Sequence, residues 1–253
     1  MRRDQFVMTR NVQALMRAIG GLKDRGAEEA CLIVVDGEPG LGKTFAAMRM
    51  AAQGGWPYVR AKTGWTPTWE LRELLEAMGL VPEHSYQKMY RQAVEALHLR
   101  AVQAAREERD FAVVIDEVDH IARSRTLMEA FRDLSDLVEV PFVFVGMGRI
   151  GNAMTRYQQI GSRVGATVRF ERASLEDVRA FVDTLCEVEV GDDLLAFLHQ
   201  ESGGLLRECK EAVANIERFG RRHGGGPIGR AEMAGETLMY DRKTGAAIRV
   251  RAA

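Results

Sequence analysis

One octapeptide constrains this chain more than any other feature. Gly37-Glu38-Pro39-Gly40-Leu41-Gly42-Lys43-Thr44 fits G-x-x-x-x-G-K-[ST] and stands between an apolar run ending at Asp36 and a helical pattern that begins at Lys43. Glycines in such a loop let the backbone wrap so that successive N–H groups face phosphate oxygens, and the N-terminus of the following helix adds partial positive charge. Lys43 is placed to neutralise the β- and γ-phosphates, and the Thr44 hydroxyl to hold Mg²⁺. The eight residues from Gly37 to Thr44 are therefore the expected nucleotide contacts, with ATP and Mg as the expected ligands.

The surrounding pattern supplies the strand and helix that this loop needs. Short β-rich apolar runs at 31–36, 58–61, 111–116, 142–146 and 166–170 alternate with long helical patterns, which is how a parallel sheet covered by helices reads. The first, third and fourth runs are continuously apolar, so they are expected to be buried on both faces. The third ends in Asp116-Glu117. Asp116 is placed to bind Mg²⁺ through water, and Glu117 to orient and polarise a water for in-line attack on the γ-phosphate.

After Phe170 the strand signal stops. Ser174-Leu175-Glu176-Asp177 reads as an N-cap and an acidic first turn, opening a helix to about Cys186. Helical patterns near 192–201 and 205–220 follow, separated by Ser202-Gly203-Gly204. Residues 1–172 are expected to form the α/β domain, 173–220 a small helical lid, and 221–253 a Gly-rich tail. That tail carries seven Arg/Lys against three Asp/Glu, about +4, leaving about −5 on the rest. It reads as a solvated end, although runs at 237–240 and 246–250 around Asp241-Arg242-Lys243-Thr244-Gly245 form a plausible hairpin.

Composition closes off several classes. With 35 basic and 36 acidic residues the net charge is −1, and 46% apolar and 28% charged residues are ordinary globular chemistry. Gly 25, Pro 6 and Cys 3 exclude collagen-like, disordered and disulfide-framework chains, and the charge excludes a wholesale polycation. Cys31, Cys186 and Cys209 form no C-x-x-C pair and are expected to be reduced thiols. Met1-Arg2-Arg3 superficially resembles a twin-arginine signal, but no apolar core follows it. No run approaches the ~18–20 apolar residues of a membrane span, so the expected location is cytoplasmic, the host cytoplasm if phage-encoded. The histidines show no metal spacing, and His120 beside Asp119 is expected to make a structural hydrogen bond.

The Asp116-Glu117 pair, two strands beyond the phosphate loop, resembles the AAA+ ATPases. The resemblance implies a P-loop NTPase fold with a five-stranded parallel sheet in the order 5-1-4-3-2 and a small all-helical lid. It also implies a polar residue at the tip of the strand after the acidic one. Met147 follows that strand here, so this sensor is missing or replaced by Arg149. Gly161-Ser162-Arg163-Val164 resembles the stretch that carries the family's arginine finger, which makes Arg163 a trans-acting residue of an oligomer, with Arg156 as the second candidate. Ser202 to Glu208 resembles the second sensor segment, which puts Arg207 over the phosphates, and Thr9-Arg10-Asn11-Val12 resembles the adenine-pocket segment, which brings in Asn11.

A narrower likeness joins the phosphate loop to Ile115-Asp116-Glu117-Val118-Asp119-His120, Val145-Gly146-Met147-Gly148-Arg149 and Ser162-Arg163. In these residues the chain resembles the phage Mu transposition protein B group and the target-selection ATPases of bacterial transposons. That group has an asparagine where Met147 stands. Its phage member opens with a helix-turn-helix domain, for which no room is expected ahead of a first strand near residue 31. The resemblance implies an ATP-dependent ring or filament of copies of this chain on duplex DNA, contacted largely without sequence preference, that delivers target DNA to a transposase. Hydrolysis is expected to be slow and stimulated by DNA or oligomerisation.

The candidate DNA contacts are Arg60, Lys62 and Thr63 after the second strand, and Lys88 and Arg91 on a following helix. Around the first group, Trp56, Trp65 and Trp69 fit equally a loop anchored in the core, and the helix cations fit a solvated face. Two other functions stay open at this level: a helicase-loader or secretion-associated ATPase that remodels a protein partner, and a nucleotide switch that neither assembles nor binds DNA.

Overall fold

The computed structural model describes residues 1–2, 5–22, 31–148, 150–151, 156–223 and 226–252. Five of its strands pair in parallel: β1 (Leu32–Asp36), β2 (Tyr58–Arg60), β3 (Val113–Asp116), β4 (Phe142–Val145) and β5 (Val164–Arg169). The order β2-β3-β4-β1-β5 is the expected 5-1-4-3-2 read from the opposite edge. The three continuously apolar runs became β1, β3 and β4 in the interior of the sheet, where β3 and β4 are buried at every position. At the edge, β5 alternates between half-buried and exposed residues along most of its length. An edge strand has a partner on one side only, and alternation suits that position.

Chain segments before and between the strands form helices. These are α1 (Arg10–Gly21), α2 (Lys43–Gly54), α3 (Pro67–Ala77), α4 (Tyr86–Arg106), α5 (Arg125–Val138) and the short α6 (Gln158–Gly161). The side chains of Thr66, Ser85 and Ser124 cap α3, α4 and α5 by accepting the N–H of Trp69, Lys88 and Leu127. Capping satisfies one of the N–H groups that a helix start leaves without an intrahelical partner. The sheet core closes around Phe131 of α5, whose ring centroid lies 6.1 Å from Phe142 and 6.3 Å from both Phe144 and Trp65. Trp65 therefore anchors the segment after β2 in the core, as one of the two readings of that loop required.

The chain divides into two compact units. Ala14–Glu38 and Lys43–Phe170 form the sheet unit, whereas Met1–Gln13, Pro39–Gly42 and Glu171–Ala253 form the other. The second unit contains α7 (Leu175–Leu185), α8 (Asp192–Ser202), α9 (Leu206–Gly220) and an antiparallel hairpin of β6 (Thr237–Tyr240) and β7 (Ala247–Arg249). Ser174 and Asp177 cap α7 reciprocally, which is the acidic first turn read from the sequence.

The solvated tail expected after Arg221 is corrected here. Ile228, Met233, Leu238, Met239 and Val250 are buried in one cluster with Val213 and Ile216 of α9, so the segment is part of this unit's core. Three short helices expose more apolar surface than they can cover among themselves, and the hairpin covers the remainder. Its turn is set by Asp241, whose carboxylate accepts the N–H groups of Lys243 and Thr244, with Gly245 at φ +71°.

Glu70 of α3 is buried with neither carboxylate oxygen hydrogen-bonded, and desolvation pushes its carboxyl from 4.5 up to about 9. A carboxyl kept protonated by folding lowers stability as pH rises above its unfolded value and stops doing so above its folded value. From pH 5 to pH 8, Glu70→Gln should therefore gain roughly 4 kcal/mol of stability relative to the wild type. Urea denaturation across that interval checks this, and a constant difference between the two proteins would contradict it.

Candidate functional site

Parallel pairing brings the C-terminal ends of β1, β3 and β4 to one edge of the sheet, and the polar residues of these strands gather there. β1 runs into the phosphate loop. Gly40 and Gly42 have φ of +92° and +87°, a region that side chains other than glycine rarely adopt. A Cβ at Gly42 would also stand 3.3 Å from Leu206 Cδ1. At the entry to α2, Lys43 is 6% exposed, and its Nζ donates to the carbonyls of Gly37 and Glu38, both at 2.7 Å. Asp36 Oδ1 accepts the Gly37 N–H at 2.7 Å and steadies the start of the loop. A buried ammonium at a helix N-terminus, inside a loop opened by left-handed glycines, fits a polyphosphate.

The acidic pair stands at the end of β3. Asp116 is 1% exposed and collects three donors: Tyr58 Oη at 2.6 Å, the Glu117 N–H at 2.8 Å and Thr44 Oγ1 at 3.4 Å. The Thr44 hydroxyl beside a single buried carboxylate fits Mg²⁺, which keeps most of its waters and needs few protein ligands. Among the described residues, no group of three His, Cys, Asp or Glu could hold a metal ion. Burial, and then the bond to Asp116, push the Tyr58 phenol up, so it stays a donor.

Glu117 adopts a left-handed conformation, φ 55°, which is costly for a residue with a side chain. Arg60 pairs with this carboxylate and holds it below the usual range, and His120 Nε2 lies 3.5 Å away. Thr63 Oγ1 is 3.1 Å from His120 Nδ1. Arg60 and Thr63, singled out as DNA contacts, thus belong to the surroundings of Glu117. The register explains this, because Arg60 of β2 stands opposite Asp116 of β3. The Arg60 side chain remains 58% exposed. Lys62 is likewise exposed, pairs with Glu73, and lies 5.7 Å from the centre of the Trp69 ring, whose Nε1 donates to Glu73 at 2.8 Å.

The remaining expected residues are placed as follows. Met147, at the tip of β4, exposes its side chain and donates its N–H to Asp119 Oδ2 at 2.6 Å, while Arg149 lies outside the described residues. Arg163 Nε donates to Asp136 Oδ2 at 2.9 Å, and Arg156 is exposed. Arg207 is exposed, and its backbone N–H donates to the Gly40 carbonyl at 3.1 Å. The Asn11 amide is used at both ends on the backbone of Glu171, donating to its carbonyl at 2.7 Å and accepting its N–H at 3.0 Å. Lys88 and Arg91 are exposed on α4. Sequence reasoning missed Tyr58 and the link between Arg60 and Glu117, because strand pairing alone brings positions 58 and 60 to positions 116 and 117.

A buried strand, a glycine loop closed on a lysine, and a second strand tipped with Asp-Glu define the P-loop class of nucleotide-binding folds. Residues 26–154 match the family described as AAA domain, about half of the chain, and the chain belongs to that family. No curated protein matches it. Solved structures of similar fold include the Orc1 protein of Aeropyrum pernix, solved in complex with DNA, at 15% identity and a TM-score of 0.60, with 89% of this chain and 64% of that chain covered. Cdc6p of Pyrobaculum aerophilum aligns at 15% identity and a TM-score of 0.59 over 91% of this chain and 68% of its own. A Walker-type ATPase of Pyrococcus abyssi aligns at 14% and 0.63 over 87% and 70%. The chain thus spans just under two thirds of the length of the Orc1 protein.

Removing the Tyr58 hydroxyl leaves the buried Asp116 carboxylate one donor short. Tyr58→Phe should lower folding stability by about 1–3 kcal/mol, read as an earlier urea midpoint at unchanged slope. An unchanged midpoint would show that the bond to Asp116 contributes nothing.

Proposed function

We propose that this chain is an ATP-dependent DNA-binding ATPase that assembles on duplex DNA, and that DNA controls its hydrolysis through Arg60. The observation that carries this reading is the Arg60–Glu117 pair. An exposed cation suited to DNA phosphate is held by the carboxylate suited to activating water. Lys43, Thr44 and Asp116 would hold the nucleotide's phosphates and Mg²⁺, and the metal would supply neutralisation of charge developing between the β- and γ-phosphates. Glu117 would take a proton from the attacking water. It can do so only when Arg60 and His120 release it, because a carboxylate engaged by a guanidinium is a weak base. A DNA phosphate offers Arg60 another anion, and engaging it frees Glu117.

Lys62 and Thr63 extend the same exposed edge, and Trp65 anchors the segment from the core side. Backbone contacts of this kind give little sequence preference and a steep salt dependence. Arg163, with Arg156 as the second candidate, is the residue we assign to a neighbouring copy's site, and Arg207 the one we assign to the phosphates. A transposase as the recipient of the DNA rests on the likeness of the motifs to the phage Mu transposition protein B group. The DNA-bound state of the Orc1 structure supports the broader reading of a DNA-associated ATPase.

Steady-state ATP hydrolysis, measured with and without duplex DNA at low salt, tests this. DNA should raise the wild-type rate several-fold. Arg60→Ala should raise the DNA-free rate, abolish the stimulation and weaken the gel shift seen with ATP. Wild-type protein that neither shifts duplex DNA nor responds to it would overturn the proposal.

A further inference from the structure

β4 lies between β1, which leads into the phosphate loop, and β3, which carries Asp116 and Glu117. Its C-terminal tip is therefore the point of the sheet between the phosphate-binding and acidic halves of the site. The Gly146 N–H donates to the Val35 carbonyl at 3.0 Å, so the tip stays in register with β1 almost to the loop. The side chain β4 itself supplies after this tip is Met147, which has no polar group to offer a water or a phosphate.

A carboxylate from another element occupies the place. Asp119, in the turn that follows Glu117, accepts the Met147 N–H on Oδ2 at 2.6 Å. A Cβ on Gly146 would come within 2.2 Å of Ile150 Cδ1 and 2.4 Å of the same oxygen, so a residue with a side chain there would displace both Ile150 and Asp119. Asp119 is half-buried. Desolvation pushes its carboxyl up, the Met147 N–H opposes this, and Asp36 and Lys43 are the charges that act on it. Asp36 opens the phosphate loop and Lys43 closes it.

We infer that Asp119 is a positioning residue for hydrolysis, one carboxylate oxygen fixed on the Met147 backbone and the other accepting a hydrogen bond from the attacking water. This rests on the reading of Glu117 as the base. In the step, the water oxygen bonds to the γ-phosphorus, and the bond from that phosphorus to the bridging oxygen breaks with its electron pair left on ADP. One water proton passes to Glu117, and the second stays in the hydrogen bond to Asp119. Two acceptors fix the direction of the water's lone pair, which one acceptor leaves free to rotate.

The test compares Asp119→Ala, Asp119→Asn and Glu117→Gln in the full chain, measuring kcat and KM for ATP, affinity for a fluorescent ATP analogue, and thermal denaturation. Asp119→Asn still offers an oxygen to the Met147 N–H but replaces the second acceptor with a donor. Both Asp119 variants should lose about 10- to 100-fold in kcat, with analogue affinity within about threefold of wild type. Asp119→Asn should melt like the wild type and remain slow. Full activity in Asp119→Asn would reduce Asp119 to a cap on the Met147 backbone and overturn the inference. Wild-type hydrolysis that Glu117→Gln abolishes, with both Asp119 variants as fast as the wild type, would overturn it while leaving the ATPase reading intact. Wild-type protein without hydrolysis sensitive to Glu117→Gln would overturn both.

Discussion

The parallel pairing of β2, β3, β4 and β1 is the constraint on which the site depends. Strands buried on both faces cannot carry polar side chains along their length, so polar groups are confined to the ends. Parallel direction then gathers those ends at one edge: Asp36, Arg60, Asp116 and the backbone beyond Val145. The core around Phe131 holds the strands in register. The geometry of the candidate site follows from that hydrophobic arrangement more than from any bond within the site.

At this edge the ionic groups have few places to go, and they compensate one another. Lys43 is satisfied by two loop carbonyls, Asp116 by Tyr58, Thr44 and a backbone N–H, and Glu117 by Arg60 and His120. Buried Asp116 has two short donors, Tyr58 Oη and the Glu117 N–H, whereas Glu117 pairs with the exposed Arg60, where water competes and the interaction is weak. On the proposed reading, Asp116 as a metal-holding group would have to stay in one place, while Glu117 as a base would have to exchange partners. Asp119 extends the same logic to the tip of β4, supplying from the turn after β3 a group that β4 does not carry.

Much of the sheet unit was legible in the residues. The five strands stand within two residues of the apolar runs, and the loop, α2 and the Ser174 cap appear where local chemistry demands them. These features are encoded over a few neighbouring positions, by continuous apolarity, glycine at unusual φ and a hydroxyl at a helix start. The hairpin at the C-terminal end was visible as a turn, but its burial was not. Its charge suggested solvent, while its burial rests on Leu238, Met239 and Val250 joining the apolar cluster of Val213 and Ile216 of α9, more than twenty positions away. The partner of Asn11 was hidden for a related reason. A short motif says which amide is present, but not which backbone it meets across 160 positions.

By itself, the sequence determined the class of fold and the identity of the phosphate-loop and acidic residues, because each depends on chemistry within a dozen consecutive positions. Only the tertiary structure decided what those residues face. The pairing of Arg60 with Glu117, the bond from Tyr58 to Asp116 and the seat of Asp119 against Met147 join positions 28 to 58 residues apart. Strand register sets the first two, and a turn meeting the neighbouring strand's tip sets the third. Register is fixed by the packing of the whole sheet on its helices, which no local run of residues contains.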